Sequence, residues 1–303
     1  VSLIAQQIVN GLALGGIYAL IALGYTMVFG IIELINFAHG DVYTLGTFFS
    51  LAILGLLGAT GELHGPFLIV AVVVTVVLAM VLSGLVGVII ERLAYRPLRN
   101  APRLAPLITA IGVSFILQNL MIYWHGPSPL PFPQILPNPT YAVGPVQIAA
   151  KQAFVIVLAV ALMIVLQLFV TKTKLGAAMR ATAQDRDAAR LMGIDVNATI
   201  ALTFFIGSAL AGAAGFVSGV YYGTTWFFNG FAAGLKAFTA AVLGGIGNIA
   251  GAMLGGFAIG LVESLTTQLL SDQWSNIVVF ALLVVVLIFK PTGLLGESLP
   301  TKA

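Results

Sequence analysis

The segment Lys172–Asp195, "KTKLGAAMRATAQDRDAARLMGID", decides how this chain is organised. It carries Lys172, Lys174, Arg180, Asp185, Arg186, Asp187, Arg190 and Asp195. The whole chain has 13 basic and 10 acidic residues, so these eight are about a third of its formal charge. Elsewhere the sequence is overwhelmingly apolar: 60% hydrophobic and 8% charged, against about 25% charged in a soluble domain. Apolar runs fall roughly at 3–30, 42–60, 66–90, 106–124, 148–171, 197–219, 236–270 and 274–290. Runs of about 20 residues match the thickness of a bilayer core. Alternating polarity of the β-barrel kind is absent. The expected fold is an all-α polytopic membrane protein with about eight transmembrane segments. It forms a single transmembrane domain over 1–303, with a charged segment at 172–196 and a Pro-rich loop at 125–147. The first stretch has no basic leader and reads as a span rather than a signal peptide.

The basic residues set the orientation. Arg92, Arg96, Arg99 and Arg103 lie between the third and fourth runs, and Lys172 to Arg190 between the fifth and sixth. Lys290 and Lys302 follow the last run, leaving only Lys151 and Lys236 elsewhere. Cytoplasmic loops retain Lys and Arg, so this side is the cytoplasm. Parity then requires the run at 236–270 to begin and end outside. Its centre, "GGIGNIAG" (Gly244–Gly251), suits a break in a re-entrant hairpin; two short spans joined by a cytoplasmic turn satisfy parity equally. Irregular backbone at membrane depth has to be buried in protein or line a cavity. "ELINFAHGD" (Glu33–Asp41) interrupts the first apolar stretch; with no nearby Lys or Arg the inside rule is silent there, and the N-terminus can face either way, with the outside preferred. The loop His125–Gln147 holds seven prolines and no formal charge beyond His125, which implies a stiff connector.

Small residues recur four apart at Gly11/Gly15, Gly215/Gly219, Gly251/Gly255 and Gly256/Gly260, a spacing that lets helices approach closely. The charged segment reads as one helix from about Leu175 to Met192, rich in Ala. Gly193 is placed to end it and Asn197 to cap the next span. Its flank of Ala177, Ala181, Ala188, Leu191 and Met192 suits a protein groove better than lipid. A solvated connecting helix is the plainer alternative.

Several stretches resemble the LivH-type permease of branched-chain amino acid ABC importers: Gly11–Asp41, "ERLAYRPLR" (Glu91–Arg99), "LITAIGVSFILQN" (Leu107–Asn119), "MRATAQDRDAARLMGID" (Met179–Asp195) and "KAFTAAVLGGIGNIAGAMLGG" (Lys236–Gly256). The resemblance runs along essentially the whole chain. It implies a bacterial inner-membrane subunit paired with a LivM-type permease, two cytoplasmic ABC ATPases and a periplasmic amino-acid-binding protein. It makes 172–196 the coupling segment, with Arg180, Asp185, Arg186, Asp187, Arg190 and Gly193 meeting an ATPase. ATP and Mg would reside on those ATPases and no cofactor on this chain, which lacks a G-x-x-x-x-G-K-[ST] loop.

Polar groups at membrane depth usually face a bundle interior. Asn36, His39, Thr109, Ser114, Gln118, Asn119, Ser208, Asn248 and Glu263 are of this kind, as path-lining groups or as interhelical hydrogen bonds. Asn36, His39, Gln118, Asn119, Gly245, Gly247 and Asn248 are the expected substrate-path residues. The two breaks are expected to meet near that path, where freed backbone groups suit a zwitterion. Cysteine chemistry is excluded, because there is no Cys. No catalytic constellation appears, and no nucleic-acid partner is implied. An ion-coupled secondary transporter using Glu33 or Glu263 is the competing class.

Overall fold

The computed structural model describes residues 2–99, 101–102, 104–144 and 146–296; Arg103, Pro145 and Lys302, counted above, lie outside them. The described residues form eleven α-helices. These are α1 (Ser2–Ile32), α2 (His39–Leu56), α3 (Gly65–Ile90), α4 (Leu104–His125), α5 (Ala150–Lys172), α6 (Lys174–Gln184), α7 (Arg186–Leu191), α8 (Val196–Tyr222), α9 (Asn229–Gly244), α10 (Ile249–Leu269) and α11 (Asp272–Phe289). Seven of them are long and apolar enough to cross a membrane: α1, α3, α4, α5, α8, α10 and α11. The protein is thus an all-α polytopic membrane protein.

The two remaining long elements are the informative ones. Helix α2 has 18 residues and α9 has 16. At 1.5 Å per residue α9 reaches about 24 Å, short of an apolar core of about 30 Å; α2 is as long as α11 but opens on the polar His39 and Asp41. Both start inside the bundle. Gly40 in the first turn of α2 lies against Gly230 and Gly234 of α9, and the His39 ring lies against Gly24, eight residues before the end of α1. The chain therefore leaves α1 at Ile32, turns back over Glu33–Ala38, and restarts a helix within the protein.

The run read as 236–270 is two helices, α9 and α10, joined at 245–248. That joint sits at the basic end of the bundle rather than at mid-depth. Leu294 and Leu295, just past Lys290, donate backbone hydrogen bonds to the Leu243 and Gly244 carbonyls. The start of α9 follows Thr224–Thr225, which pairs with Leu130–Pro131 of the Pro-rich loop.

Close packing explains the glycines. Gly11 and Gly15 of α1 meet Gly256 and Gly260 of α10 backbone to backbone; a Cβ on Gly15 would come within 2.7 Å of the Phe257 Cα. Gly251 and Gly255 perform the same service towards α9, and Gly215 towards α2. Small residues let backbones approach where lipid offers no hydrophobic drive. Helices α1 and α8 are largely buried, whereas α4, α5 and α11 are mostly exposed and form the rim. The Pro-rich loop is less uniform than its composition suggests. It holds β1 (Leu130–Pro131), which pairs with β4 (Thr224–Thr225), and a hairpin of β2 (Thr140–Val143) and β3 (Val146–Ala149).

Candidate functional site

The charged segment folds as two helices, not one. Thr173 caps α6 through its hydroxyl, which accepts from the Gly176 amide. At Asp185 the backbone is extended, and its carboxylate accepts from the Asp187 and Ala188 amides to start α7. Asp is a poor interior helix residue but a strong cap, and the single-helix expectation fails on that competition. Gly193 ends the segment at φ +81°, as expected of a left-handed C-cap. The cap of α8 is Asp195, which accepts from the Ala198 amide, whereas Asn197 accepts from Arg99 at 2.6 Å.

The segment has two distinct faces. Towards the bundle it buries Met179, Thr182 and Ala189. Arg186 donates to the Ile31 carbonyl at 2.9 Å, a cation at the negative end of α1. Arg180 folds back to the Val170 carbonyl at the end of α5. Away from the bundle, Leu191 and Met192 are 89% and 82% exposed. Beside them stands the exposed pair Asp187–Arg190 at 3.0 Å, of a kind that adds about 0–1 kcal/mol.

The break after α1 is held by specific bonds. Glu33 adopts φ +54°, the one positive φ at a described non-glycine residue, and ends the helix. Tyr95 donates to the Ile35 carbonyl and to Asn36 Oδ1, each at 3.2 Å. His39 is buried with its ring edge-on to Tyr25, at 4.7 Å between centroids, and neither ring nitrogen makes a well-formed hydrogen bond. Asp41 is buried and accepts from Ser114 and, at 3.0 Å, from Gln118, tying α2 to α4. Asn119, one residue further along α4, faces outwards and donates to the Phe115 carbonyl.

The second break has a different surround. Gly245 lies against Gly293 and Gly296 at φ +105°, while Gly247 at φ +96° faces open space. Asn248 caps α10 through the Gly251 amide and donates to the Leu295 carbonyl at 2.9 Å. The two breaks do approach each other, but through apolar side chains: Ile35 and Ile246 line one small gap with Phe238. Their polar groups diverge, Asn36 towards Tyr95 and Asn248 towards Leu295. Among the described residues no group of three or more His, Cys, Asp or Glu side chains could hold a metal.

This architecture has known counterparts in sequence. Residues 7–287 match the family described as branched-chain amino acid transport system, permease component. The chain belongs to this family. It is 45% identical to the high-affinity branched-chain amino acid transport system permease protein LivH of Escherichia coli K12, over 96% of this chain and 95% of that one. It is 44% identical, with the same coverage, to the corresponding permease protein BraD of Pseudomonas aeruginosa. A probable branched-chain amino acid transport permease LivH of Methanocaldococcus jannaschii is 31% identical over 65% of this chain and 60% of that one. No solved structure matches. The permease is a transport component and not an enzyme.

Two buried ionic groups of the permease escape the sequence reading. Lys236 of α9 pairs with Glu263 of α10 at 2.6 Å, and Tyr18 of α1 donates to the same carboxylate at 2.9 Å. Glu91, fully buried at the end of α3, is clasped by Arg96 at 3.1 Å and by Arg99. The first has a legible signal. Lys236 is a basic residue left over by the orientation rule, inside an apolar run. A cation there requires a counter-charge, and Glu263 is the acid of that same run. The second has none, because Glu91–Arg99 folds as a π-helical turn and then a 3₁₀ turn that brings the three side chains together.

Proposed function

We propose that the permease is the membrane-spanning subunit of an ATP-driven importer for branched-chain or related amino acids. It works by alternating access in a bacterial inner membrane, with the basic end facing the cytoplasm. Residues 1–303 act as one permease domain beside a LivM-type permease. Two cytoplasmic ABC ATPases hold the ATP and Mg, and a periplasmic binding protein delivers the solute.

The carrying observation is the two-faced charged segment. A linker that merely joined α5 to α8 would have no reason to present Leu191 and Met192 to water. An apolar pair rimmed by Asp187 and Arg190 is the form of a plug for a protein groove. Its inner face is fixed to the bundle by Met179, Thr182 and the Arg186 bond to α1. Movement of the groove is thereby passed to α1, whose continuation Glu33–Ala38 leads into the buried start of α2. On this reading Arg190 and Asp187 contact the ATPase, Asp185 and Gly193 set the shape of the plug, and Arg180 and Arg186 anchor it. Asn36, His39 and Gln118 stand along the mobile break, and Gly245, Gly247 and Asn248 form its neighbour. Asn119 faces lipid or the second permease.

Alternating access requires a driving event that contacts the two states differently. Uptake into vesicles tests the source of that drive. The assembly is expected to accumulate leucine only with its ATPases, ATP and the binding protein present; uptake driven by a proton or sodium gradient alone would overturn the reading. The pairing of Glu263 also supports it, since both carboxylate oxygens are already engaged, one by Lys236 and the other by Tyr18.

A further inference from the structure

Helix α4 belongs to the rim, yet its outward face is unlike those of the other rim helices. Leu104, Ile108, Gly112, Phe115, Asn119 and Tyr123 recur at helical spacing along one side, and all are exposed. Asn119 lies well inside the span, about 9 Å along the axis from His125. Its Nδ2 donates back to the Phe115 carbonyl at 2.8 Å, while its Oδ1 accepts from nothing among the described residues. By contrast, every exposed residue from Phe67 to Ile89 of α3, from Ala153 to Leu168 of α5 and from Ile277 to Phe289 of α11 is apolar. Gly112 also stands apart. The glycines within α1, α8 and α10 all have a neighbouring atom within 4 Å of the Cβ position, whereas Gly112 has none. Tyr123 is 92% exposed at an open cleft of about 580 Å³ between α2 and α4, lined also by Leu45, Phe49, Leu120 and Trp124.

We infer that this face of α4 receives a transmembrane helix of the second permease, which crosses at Gly112 and hydrogen-bonds to Asn119. The inference rests on the two-permease assembly proposed above and names the surface through which that assembly forms. Glycine is a poor helix former, and its use inside a span is to let another backbone come close. In this chain nothing comes close to Gly112, so the approach is made from outside it. A side-chain amide within a span needs a hydrogen-bond partner, and acyl chains have none to offer. The ATPases and the binding protein lie outside the bilayer, so the donor for Asn119 Oδ1 comes from another membrane-embedded chain. A large apolar side chain of the same incoming helix fills the cleft, where Tyr123 stands as an aromatic anchor. The opposite side of α4 is already committed within this chain, Ser114 and Gln118 both donating to Asp41. The helix therefore has one side for its own bundle and one for its partner.

The test uses the full-length permease co-expressed with its partner subunits, in native membranes. The photoreactive residue p-benzoylphenylalanine replaces Phe115 or Tyr123 singly, and Val157 of α5 or Val284 of α11 as controls. Illumination is expected to join this chain to the second permease from Phe115 and Tyr123 and not from the two controls, with the adducts identified by mass spectrometry. Gly112→Leu meets nothing in this chain, so its accumulation in the membrane should be unchanged while recovery of the second permease falls at least about tenfold. Asn119→Leu, which removes one hydrogen bond inside the span, should lower that recovery about three- to tenfold. The cross-linking result stands without these variants. Adducts from the α4 positions to lipid alone or to a second copy of this chain overturn the assignment, as do adducts to the second permease from α5 or α11 in place of α4. Failure of any second permease to co-purify with the unaltered chain would instead overturn the functional reading.

Discussion

The pair Lys236–Glu263 offers the sharpest check on how this bundle is held together. The two side chains are 10% and 11% exposed and lie at 2.6 Å, with Tyr18 as third member. Replacing Lys236 by Met keeps length and volume but leaves the Glu263 carboxylate buried with only the Tyr18 hydroxyl. Removing one partner of a buried pair destabilises by about 3–5 kcal/mol, whereas replacing both by neutral groups is often close to neutral. At about 1.4 kcal/mol per tenfold, the single variant should shift the folding equilibrium by roughly two to three and a half powers of ten. Glu263→Gln alone should fall in the same range, since it strands the ammonium. The double variant Lys236→Met/Glu263→Gln should recover most of the loss, because the side-chain amide oxygen introduced at that position still accepts from Tyr18. Equilibrium unfolding in mixed micelles, run as a double-mutant cycle, reads the coupling directly. Single variants each within about 1 kcal/mol of the parent, adding without coupling, would refute the argument that this is a desolvated ion pair. The same double variant separates the two transport classes. ATP-driven uptake should survive in it, whereas a carrier coupled through Glu263 would be inactive.

Three further outcomes follow from the geometry. Leu191→Asp should abolish co-purification of the ATPases while leaving membrane insertion intact, because the side chain is exposed and its loss touches nothing in the bundle; undiminished co-purification would move the docking face elsewhere. Gly260→Leu should prevent accumulation of folded permease, since its Cβ would fall on the backbone of Gly11 and Gly15; normal yield by fluorescence-detected size exclusion would show that α1 and α10 do not pack as described. Gly245→Val and Gly247→Val should differ: both sit at positive φ, which costs about 1–3 kcal/mol for other residues, but only Gly245 also collides with Gly296. Thermal stability of the two variants should therefore rank Gly247→Val above Gly245→Val, and the reverse order would remove the packing of 290–296 onto α9.

Much of the architecture was legible because its causes are local. Apolar runs and glycine spacings each report a property of a single segment: seven of the eight runs correspond to one helix each and 236–270 to two, and most of the paired glycines lie at helix contacts, Gly219 meeting the Phe132 ring instead. The reading lost accuracy where one segment's fate depends on another. The run at 42–60 looked like an ordinary span, yet α2 starts at His39 inside the protein because Gly24, Gly40, Gly230 and Gly234 remove the side chains that would exclude it. Four separate positions have to be small for that, and no window of sequence contains all of them. Asp185 illustrates the opposite error. The Ala content on both sides outweighed a single residue whose carboxylate serves the backbone better than an interior helical turn does.

On the proposed coupling role, the same contacts direct the charged segment to this part of the molecule and not to the rim. Arg186 grips the last turn of α1, and α1 is bound to α10 along its length by the Gly11/Gly15 and Gly256/Gly260 contacts and by Tyr18 on Glu263. Through Glu263 and Lys236 the connection continues to α9, whose first turn lies on the first turn of α2. A displacement of the segment therefore meets a packed and ion-paired unit before it meets α4, α5 or α11, which share few buried residues with the core. The two helices whose first turns pack on each other, α2 and α9, are the weak points of that unit. Each is entered through a non-helical turn, at Phe37–Ala38 and at Phe227–Phe228, so each can change its end without breaking a helix. On the proposed mechanism, movement at the start of α2 would exchange the bonds of Tyr95 to Ile35 and Asn36 and of Asp41 to Ser114 and Gln118, and would shift the packing of Gly40 on Gly230 and Gly234.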